Sequence, residues 1–385
     1  MKKLRIGVIY GGRSSEHEVS LASAAAVIAN LDRQRYDPVP IRIDRDGRWV
    51  IPDKPPSTVI AAEVIARARQ EAGRAPRSGR EAYLVPHPGE ETLLTLERAA
   101  GESAGRENAY IAGLALDVIF PVLHGPYGED GTVQGLLELA GIPYVGAGVL
   151  SSSVAMDKAM MKTVFGARGL PQVAYTVVLR PDWEASPEAV ASMIGERFGY
   201  PVFVKPANLG SSVGISKVKA AADLGAAVSV AGQYDRKIVI EAAVPAARDI
   251  ECSVIGNGRP EASVPGEVVS SREFYDYDAK YIEESESLIP APLDPGVTER
   301  VRQLAVEAFQ AVDAAGFARV DFLLSRETGR LYLNEINTIP GFTTISMFPK
   351  LWEASGVSFS SLLDRLVELA LERHAGKQSL RTDYP

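Results

Sequence analysis

Residues 317–350 read FARVDFLLSRETGRLYLNEINTIPGFTTISMFPK. Two apolar runs, FARVDFLL and LYLNEIN, flank the turn-forming RETG, a pattern that predicts a β-hairpin. With the two-residue period of a strand, Leu331, Leu333, Glu335 and Asn337 fall on one face. Pairing about Thr328 sets Asp321 beside Glu335. A register one residue away sets it beside Asn334. In either register two carboxylates and an amide stand at the end of a two-stranded ribbon. A carboxylate among Val320, Phe322 and Leu323 needs a partner, because an unpaired charge among apolar side chains is costly. Hard oxygen ligands with no Cys or His among them suit Mg²⁺ or Mn²⁺ better than Zn²⁺. A solvated hairpin with incidental acids is the plainer alternative. The loop that follows, Thr338–Phe348, is rich in Gly, Thr, Ser and Pro and reads as more than a connector.

The surrounding chain bounds the class. A length of 385 residues fills more than one core, so two or three domains are expected. Apolar residues make up 46% and charged residues 23%, ordinary for a globular protein. The formal charge, 41 − 49 = −8, argues against nucleic acid as the main partner. The single cysteine, Cys252, excludes an intrachain disulfide and a cysteine metal cluster, and reads as a small buried filler. The opening MKKLRIGVIYGG turns polar after one short strand, so no signal peptide is expected. No apolar run reaches the ~18–20 residues of a membrane span, and a cytoplasmic location without membrane contact is the expectation.

From the N-terminus, Leu4–Tyr10 is a continuous apolar strand broken by Gly11-Gly12. Ser15-Glu16-His17-Glu18 has the form of a capping box, with Ser15 as N-cap and Glu18 at N3, before a helix through Leu31. A second strand, Tyr36–Ile43, completes the opening of a parallel α/β domain. GGRSSE is not GxGxxG, and Glu16 would repel a pyrophosphate; a substrate amine is its better partner, and a first-turn acid its plainer reading. Residues 51–110 are rich in Pro, Ala, Arg and Glu. Here Ser57–Arg74 and Glu90–Arg106 read as helical, with a strand at Ala82–Val85. Leu116–Leu123 is a buried strand leading into HGPYGEDG. His124 there is a candidate substrate contact, and Asp130 can cap a helix over Val133–Ala140.

A boundary near Gly148–Ser153 precedes a helix over Ser153–Gly166 that carries Met156-Asp157-Lys158. Lys158 in a first helical turn opposes the helix dipole, which hints at another use. The strand Tyr200–Lys205 runs into Pro-Ala-Asn-Leu-Gly-Ser-Ser-Val-Gly, a loop able to aim N–H groups and hydroxyls at an anion. It is not a P-loop, since Lys205 precedes its glycines. A phosphate would satisfy both the lysine and the loop; a surface loop is the competing reading. Lys237–Glu241 is a strand, and Glu241-Ala-Ala-Val a crossover. Phe274–Tyr281 mixes aromatics with charges, as a functional loop or lid does. Val297–Ala315 reads as an amphipathic helix and Phe359–Ala375 as a closing helix.

Taken together, GGRSSEHEVSLAS, HGPYGEDGTVQGLLE, MDK, KPANLGSSVGISKV, EFYDYDAKY, ARVDF and NEINTIPGFT-TISMFP resemble, in this order, the motifs of the D-alanine–D-alanine ligases of the ATP-grasp superfamily. The resemblance spans almost the whole chain and is weakest over 51–110. It implies an N-terminal parallel α/β domain (1–150), followed by a two-domain, α+β ATP-grasp fold with a central domain (151–243) and a C-terminal domain (244–385). It implies ATP between the latter two, two D-alanine sites, and a homodimer through the N-terminal domain.

Carried residue by residue, the resemblance makes Asp321, Glu335 and Asn337 ligands of two Mg²⁺ ions. Lys158 and Lys205 correspond to phosphate-binding lysines, and Ser211 and Ser212 lie in the phosphate lid over 208–214. Glu241 and Val244 lie at the adenine contact, and Glu251 matches the ribose ligand. Glu16 corresponds to the acid that receives the first D-alanine's ammonium, with His124 beside it. Ser211 and Tyr281 close the site with Glu16, and Lys280 reaches the γ-phosphate. Arg319 and the Gly341 N–H correspond to oxyanion donors, and Ser346 and Met347 contact the second D-alanine. Tyr281 favours an amine nucleophile. The same pattern leaves D-alanyl-D-lactate or D-alanyl-D-serine synthesis, or nucleotide binding without catalysis, as the alternatives.

Overall fold

Strand β1 (Leu4–Gly11) is the centre from which the N-terminal sheet grows. The computed structural model describes residues 2–70, 79–89, 92–99, 108–269 and 286–381. β1 pairs in parallel with β2 (Tyr36–Ile43) and with β7 (Val118–Val122). Ile6, Val8, Ile119 and Phe120 are fully buried, as the continuous apolar runs of a two-side-covered parallel sheet require. Beyond β2 the sheet continues antiparallel through β3 (Trp49–Ile51), β4 (Arg80–Leu84), β5 (Leu93–Ala99) and β6 (Asn108–Leu114), seven strands in the order β6-β5-β4-β3-β2-β1-β7. The expected helix over Glu90–Arg106 is therefore replaced, in its described part, by β5. Alternation decides this: Leu93 and Thr95 are buried, and the Thr92 hydroxyl accepts from Leu116 N–H at 2.8 Å, extending the β5–β6 pairing by one step. The other predicted helix is present as α2 (Ala61–Gln70).

Helix α1 (His17–Asn30) connects β1 to β2. It begins one residue later than a capping box on Ser15 requires: Glu16 is the N-cap, without a side-chain cap bond, and both Glu18 oxygens instead accept from Arg45 Nη2 at 2.7 Å. After β7, Asp130 precedes α3 (Thr132–Ala140), where its oxygens accept from Tyr127 and Thr132 N–H. Ile142–Val145 contributes a single parallel bridge, Tyr144 to Ile119.

The single helix expected over Ser153–Gly166 is two, α4 (Val149–Met156) and α5 (Lys158–Ala167). Asp157 makes the break: it leaves helical geometry and caps α5, accepting from Ala159 and Met160 N–H at 3.1 Å. Next come β8 (Tyr175–Leu179), α6 (Arg180–Ala185), α7 (Pro187–Phe198), β9 (Val202–Pro206), β10 (Ser216–Val218), α8 (Leu224–Ala231) and β11 (Lys237–Ala242). The four strands form an antiparallel sheet in the order β10-β9-β11-β8.

Among the described residues, the C-terminal sheet has six strands: β12 (Ala247–Gly256), β13 (Glu261–Ala262), β14 (Gly266–Val269), β15 (Glu286–Leu288), β16 (Gly316–Ser325) and β17 (Leu331–Asn337). Helix α9 (Pro295–Ala311) covers its core face. Ala155, Met161 and Phe165 of α4 and α5 join that same core, whereas Ala159 packs on Ala207 and Val239 of the central sheet. Helix α5 is thus wedged between two sheets. Helices α10 (Met347–Ala354) and α11 (Phe359–Gln378) complete the fold and bury Phe348, Leu362 and Leu366 with Val8 and Phe120. Among the described residues, no helix is long and apolar enough to cross a membrane.

Candidate active site

The β16–β17 hairpin forms as expected, with a refinement that sets its chemistry. Nearest the turn, Leu324 pairs with Leu331 and Phe322 with Leu333; continued unchanged, that register would bring Asn334 opposite Asp321. A bulge intervenes. Asn334 is the extra residue, and Glu335 takes the place opposite Asp321. The bulge also changes which face each residue shows. Leu331 and Leu333 lie with Ile336 against the core, while Glu335 and Asn337 lie on the opposite face. The expectation of one face for Leu331, Leu333, Glu335 and Asn337 therefore fails at the inserted residue, where the two-residue period is interrupted.

The consequence is a ladder of charge across three strands. Glu251 of β12 is opposite Asp321, which is opposite Glu335; in the next row Ser253 is opposite Arg319, which is opposite Asn337. Arg319 grips Asp321 with two hydrogen bonds, Nε to Oδ1 at 2.7 Å and Nη2 to Oδ2 at 2.8 Å, and its Nε lies 2.9 Å from Glu251 Oε2. These acids hold the buried guanidinium firmly protonated. Asn337 Nδ2 donates to Asp321 Oδ2 at 2.9 Å, which leaves its amide oxygen as the remaining acceptor. Among the described residues, no group of three or more His, Cys, Asp or Glu side chains is gathered closely enough to hold a metal. Asp321, Glu335 and the Asn337 oxygen are nonetheless a hard-donor set on one face of adjoining strands, and that chemistry fits Mg²⁺.

A cavity of about 330 Å³ is lined by Glu251, Asp321 and Glu335 of this ladder together with Phe203, Lys205, Lys217 and Glu241 of the central sheet, and by Val244. Lys205 Nζ donates to Glu241 Oε2 at 2.7 Å, and Lys162 of α5 lies 3.0 Å from Glu241 Oε1. All three side chains are buried. Burial alone would raise the Glu241 carboxyl, but the two ammonium groups outweigh it and hold the pKa down at about 2. Burial pulls the Lys162 pKa down, whereas Glu241 outweighs burial and raises that of Lys205, so Lys205 is the firmer cation beside the cavity, suited to an anionic ligand. Lys158, in the first turn of α5, donates to Leu209 O at 2.7 Å and lies 3.7 Å from Glu335 Oε2. It bridges the 208–214 loop to the acidic ladder.

The 208–214 loop reaches the N-terminal sheet. Ser211 and Ser212 adopt φ of 49° and 59°, a left-handed conformation uncommon for residues with a Cβ. Ser211 Oγ donates to Glu16 Oε1. A Cβ at Gly210 would sit 3.0 Å from Glu16 Oε2, so glycine permits this approach. A smaller cavity beneath the loop is bounded by Glu129, Lys158, Ser211, Glu335 and Asn337. Glu129 shares this corner with Glu16: Gly125 N–H donates to Glu129 Oε2 at 2.7 Å, and a Cβ on Gly125 would lie 2.8 Å from Glu16 Oε2. Two acids at one buried corner suit an ammonium ligand.

The hairpin thus gathers Asp321, Glu335, Asn337 and Arg319, and the cavities add Lys158, Lys205, Ser211, Ser212, Glu241, Val244 and Glu251. Glu16 joins through Ser211. His124 is buried, with Nδ1 on Ile339 O at 3.0 Å and Nε2 on Ser23 Oγ at 3.1 Å, so both ring nitrogens are engaged by protein. Gly341 lies in the following loop. Ser346 Oγ accepts from Thr343 N–H at 3.0 Å, and Met347 is buried at the start of α10. Lys280 and Tyr281 lie outside the described residues. Two residues of the site were missed from sequence. Lys162 follows Lys158 by one helical turn in a segment otherwise apolar enough to be buried, which was the available signal. Glu129 lies between glycines in HGPYGEDG, where sequence assigned only its neighbours His124 and Asp130.

Lys205, Lys217 and Glu241 of the central sheet share one cavity with Glu251, Asp321 and Glu335 of the C-terminal sheet, an arrangement that fits an ATP-grasp ligase architecture. Comparison with known proteins narrows the class. Residues 5–147 match the family model "D-ala D-ala ligase N-terminus", and residues 164–368 match "D-ala D-ala ligase C-terminus". The D-alanine--D-alanine ligase of Heliobacterium modesticaldum is 48% identical over 384 residues, covering 100% of this chain and 99% of the relative. The structure of the D-alanine-D-alanine ligase from Coxiella burnetii superposes with a TM-score of 0.78 at 37% identity, covering 98% of this chain and 97% of the other. The VanG D-Ala:D-Ser ligase from Enterococcus faecalis gives 0.75 at 32% identity, covering 96% and 100%. The chain belongs to the D-Ala–D-Ala ligase family.

Proposed function

We propose that this chain joins two D-alanine molecules into D-alanyl-D-alanine, for peptidoglycan precursor synthesis, with ATP converted to ADP and phosphate. The observation that carries the reading is the cleft itself, in which buried Lys158 and Lys205 line the same cavities as Asp321 and Glu335, with Lys162 behind them on Glu241, within a chain of this family. The carboxylate of the first D-alanine attacks the γ-phosphorus, ADP leaves, and an acyl phosphate remains. The amine of the second D-alanine attacks the acyl carbon, the C–O bond to phosphate breaks, and the amine proton is lost. Glu16 receives the first ammonium. Lys158 and Lys205 offset charge on the phosphates. Asp321, Glu335 and Asn337 would hold Mg²⁺, or Mn²⁺ in its place, which when bound neutralises phosphate charge.

Arg319 and the Gly341 N–H would stabilise the oxyanion, each by on the order of 3 kcal/mol. The paired hold of Arg319 on Asp321 fixes that guanidinium beside the ligand set. Ser346 and Met347 border the second D-alanine, and the family resemblance assigns Lys280 to the γ-phosphate and Tyr281 to closing the site with Glu16. No protein nucleophile is needed. Burial pushes the Cys252 thiol up to about 12, consistent with an inert filler. Residues 1–150, 151–243 and 244–385 are the working domains, supported by three separate sheets. A cytoplasmic homodimer through the first domain completes the proposal on the strength of the family resemblance.

Phosphate release with ATP, Mg²⁺ and D-alanine, with the product weighed by mass spectrometry, tests this. Release dependent on D-alanine with dipeptide formed is expected. Release without dipeptide would redirect the second site to D-serine or D-lactate. The Glu335→Gln substitution should abolish turnover while leaving the far-ultraviolet circular dichroism unchanged; a near-normal rate would remove Glu335 from the ligand set.

A further inference from the structure

Residues 338–342 follow β17, yet side chains of α1 and of the loop after β7 hold their backbone. Ile339 N–H donates to Glu129 Oε1 at 3.2 Å, and Ile339 O accepts from His124 Nδ1 at 3.0 Å. A carbonyl only accepts, so His124 carries its proton on Nδ1 and its Nε2 accepts from the Ser23 hydroxyl at 3.1 Å. The Ser23 oxygen in turn accepts from Phe342 N–H at 3.2 Å. Behind these contacts, Ser14 Oγ donates to His124 O at 2.8 Å, and Gly125 N–H donates to Glu129. Ser23 is completely buried. The Phe342 ring is fixed as well, with centroids 5.7 Å from Phe120 of the first sheet and 5.6 Å from Phe317 of the last.

Gly341, half-buried, lies between these two anchored positions. Ser346 Oγ crowds its other side, 2.7 Å from where a Cβ would stand. We propose that Ser23, His124 and Glu129 are positioning residues that aim the Gly341 N–H at the reacting carbonyl, so that one half of the oxyanion site is set by the domain that binds the first substrate. His124 then acts as a tether, its ring nitrogens spent on the protein. This inference rests on the proposed ligase reaction and on Gly341 as the donor. Misplacing a donor by a fraction of an ångström weakens the amide-forming step without changing how the nucleotide is held.

The test is Ser23→Ala, which removes the acceptor for Phe342 N–H and the donor to His124. Dipeptide and phosphate are measured in the same reaction. Dipeptide kcat should fall on the order of 10- to 100-fold. KM for ATP should stay within about twofold, and phosphate released per dipeptide should rise above one, because acyl phosphate still forms and is lost to water. Glu129→Gln, which keeps volume and one acceptor, is the second variant should Ser23→Ala not fold; it should show the same rise with a smaller fall in rate. A folded variant with dipeptide kcat within about twofold of the parent, or a slowed one whose phosphate-to-dipeptide ratio stays at one, overturns the proposal. A parent protein that forms no dipeptide overturns the ligase reading itself, and the inference with it.

Discussion

Glu129 shows how much chemistry one enclosed carboxyl can carry. Burial, reinforced by Glu16, pushes its pKa up to about 8, against the Gly125 and Ile339 N–H groups and Arg319, which pull it down. In the unfolded chain an ordinary glutamate loses its proton near ~4.3. Between these values the folded protein holds a proton that the unfolded chain has released. Stability therefore falls as pH rises through that window, and the loss is complete above the folded value. The cost is on the order of a few kcal/mol. Glu129→Gln should flatten the decline of Tm between pH 5 and 8, read by scanning fluorimetry. In the parent protein, a D-alanine ammonium at this corner favours the ionised form, so added D-alanine should flatten the same decline. Equal slopes for parent and variant would show that Glu129 titrates as an ordinary carboxyl.

At the scale of elements, two local breaks set the site: the bulge at Asn334 and the interruption at Asp157. Asp157 ends α4, caps α5, and pairs with Lys237 and Asn208. These bonds outweigh its burial and hold its carboxyl below the usual range. Its stabilisation is present above the unfolded aspartate value, ~3.9, and is lost as pH falls through the lower folded one. Asp157→Ala should cost about 1 kcal/mol or more through the lost cap, seen as a lower urea midpoint at pH 7. Activity should fall too, because Lys158 leaves its place beside Glu335. An unchanged midpoint would mean the cap contributes nothing. Both breaks explain what could be read from the chain beforehand. Asp321 facing Glu335 was legible because hairpin pairing is local, whereas the bulge was not, since it answers to Ile336 finding the core. The strand at Leu93–Ala99 was hidden because its Leu, Glu, Arg and Ala content suits a helix, and a neighbouring sheet edge overrode that preference. Lys162 and Glu129 were missed because their partners, Glu241 and Ile339, are distant in sequence.

Across the whole molecule, the first and last segments form one structural unit. The N-terminal sheet buries Ile6, Val8, Val118 and Phe120 not within its own span alone but against Phe342, Phe348, Leu362, Leu366 and Val367. Polar contacts repeat the pattern at the rim. Arg35 pairs with Asp364 at 2.6 Å and Glu368 at 3.0 Å, Lys377 pairs with Glu138, and Arg373 donates to Tyr144 O at 3.0 Å. Those rim pairs are mostly exposed and contribute little each. The apolar contact contributes more, because each of these leucine and valine side chains stabilises by roughly 1.5–3 kcal/mol when fully buried. Residues 1–150 expressed without α11 should therefore expose a continuous apolar face and fail to unfold cooperatively. They should bind a hydrophobic dye and be digested rapidly by a protease that spares the full chain. Supplying 338–381 as a separate chain should restore protease resistance to 1–150. If 1–150 alone unfolds in one sharp transition, the shared core is dispensable. In that case the geometry between Ser23 and the Gly341 loop must be maintained by the 208–214 loop and the rim pairs instead.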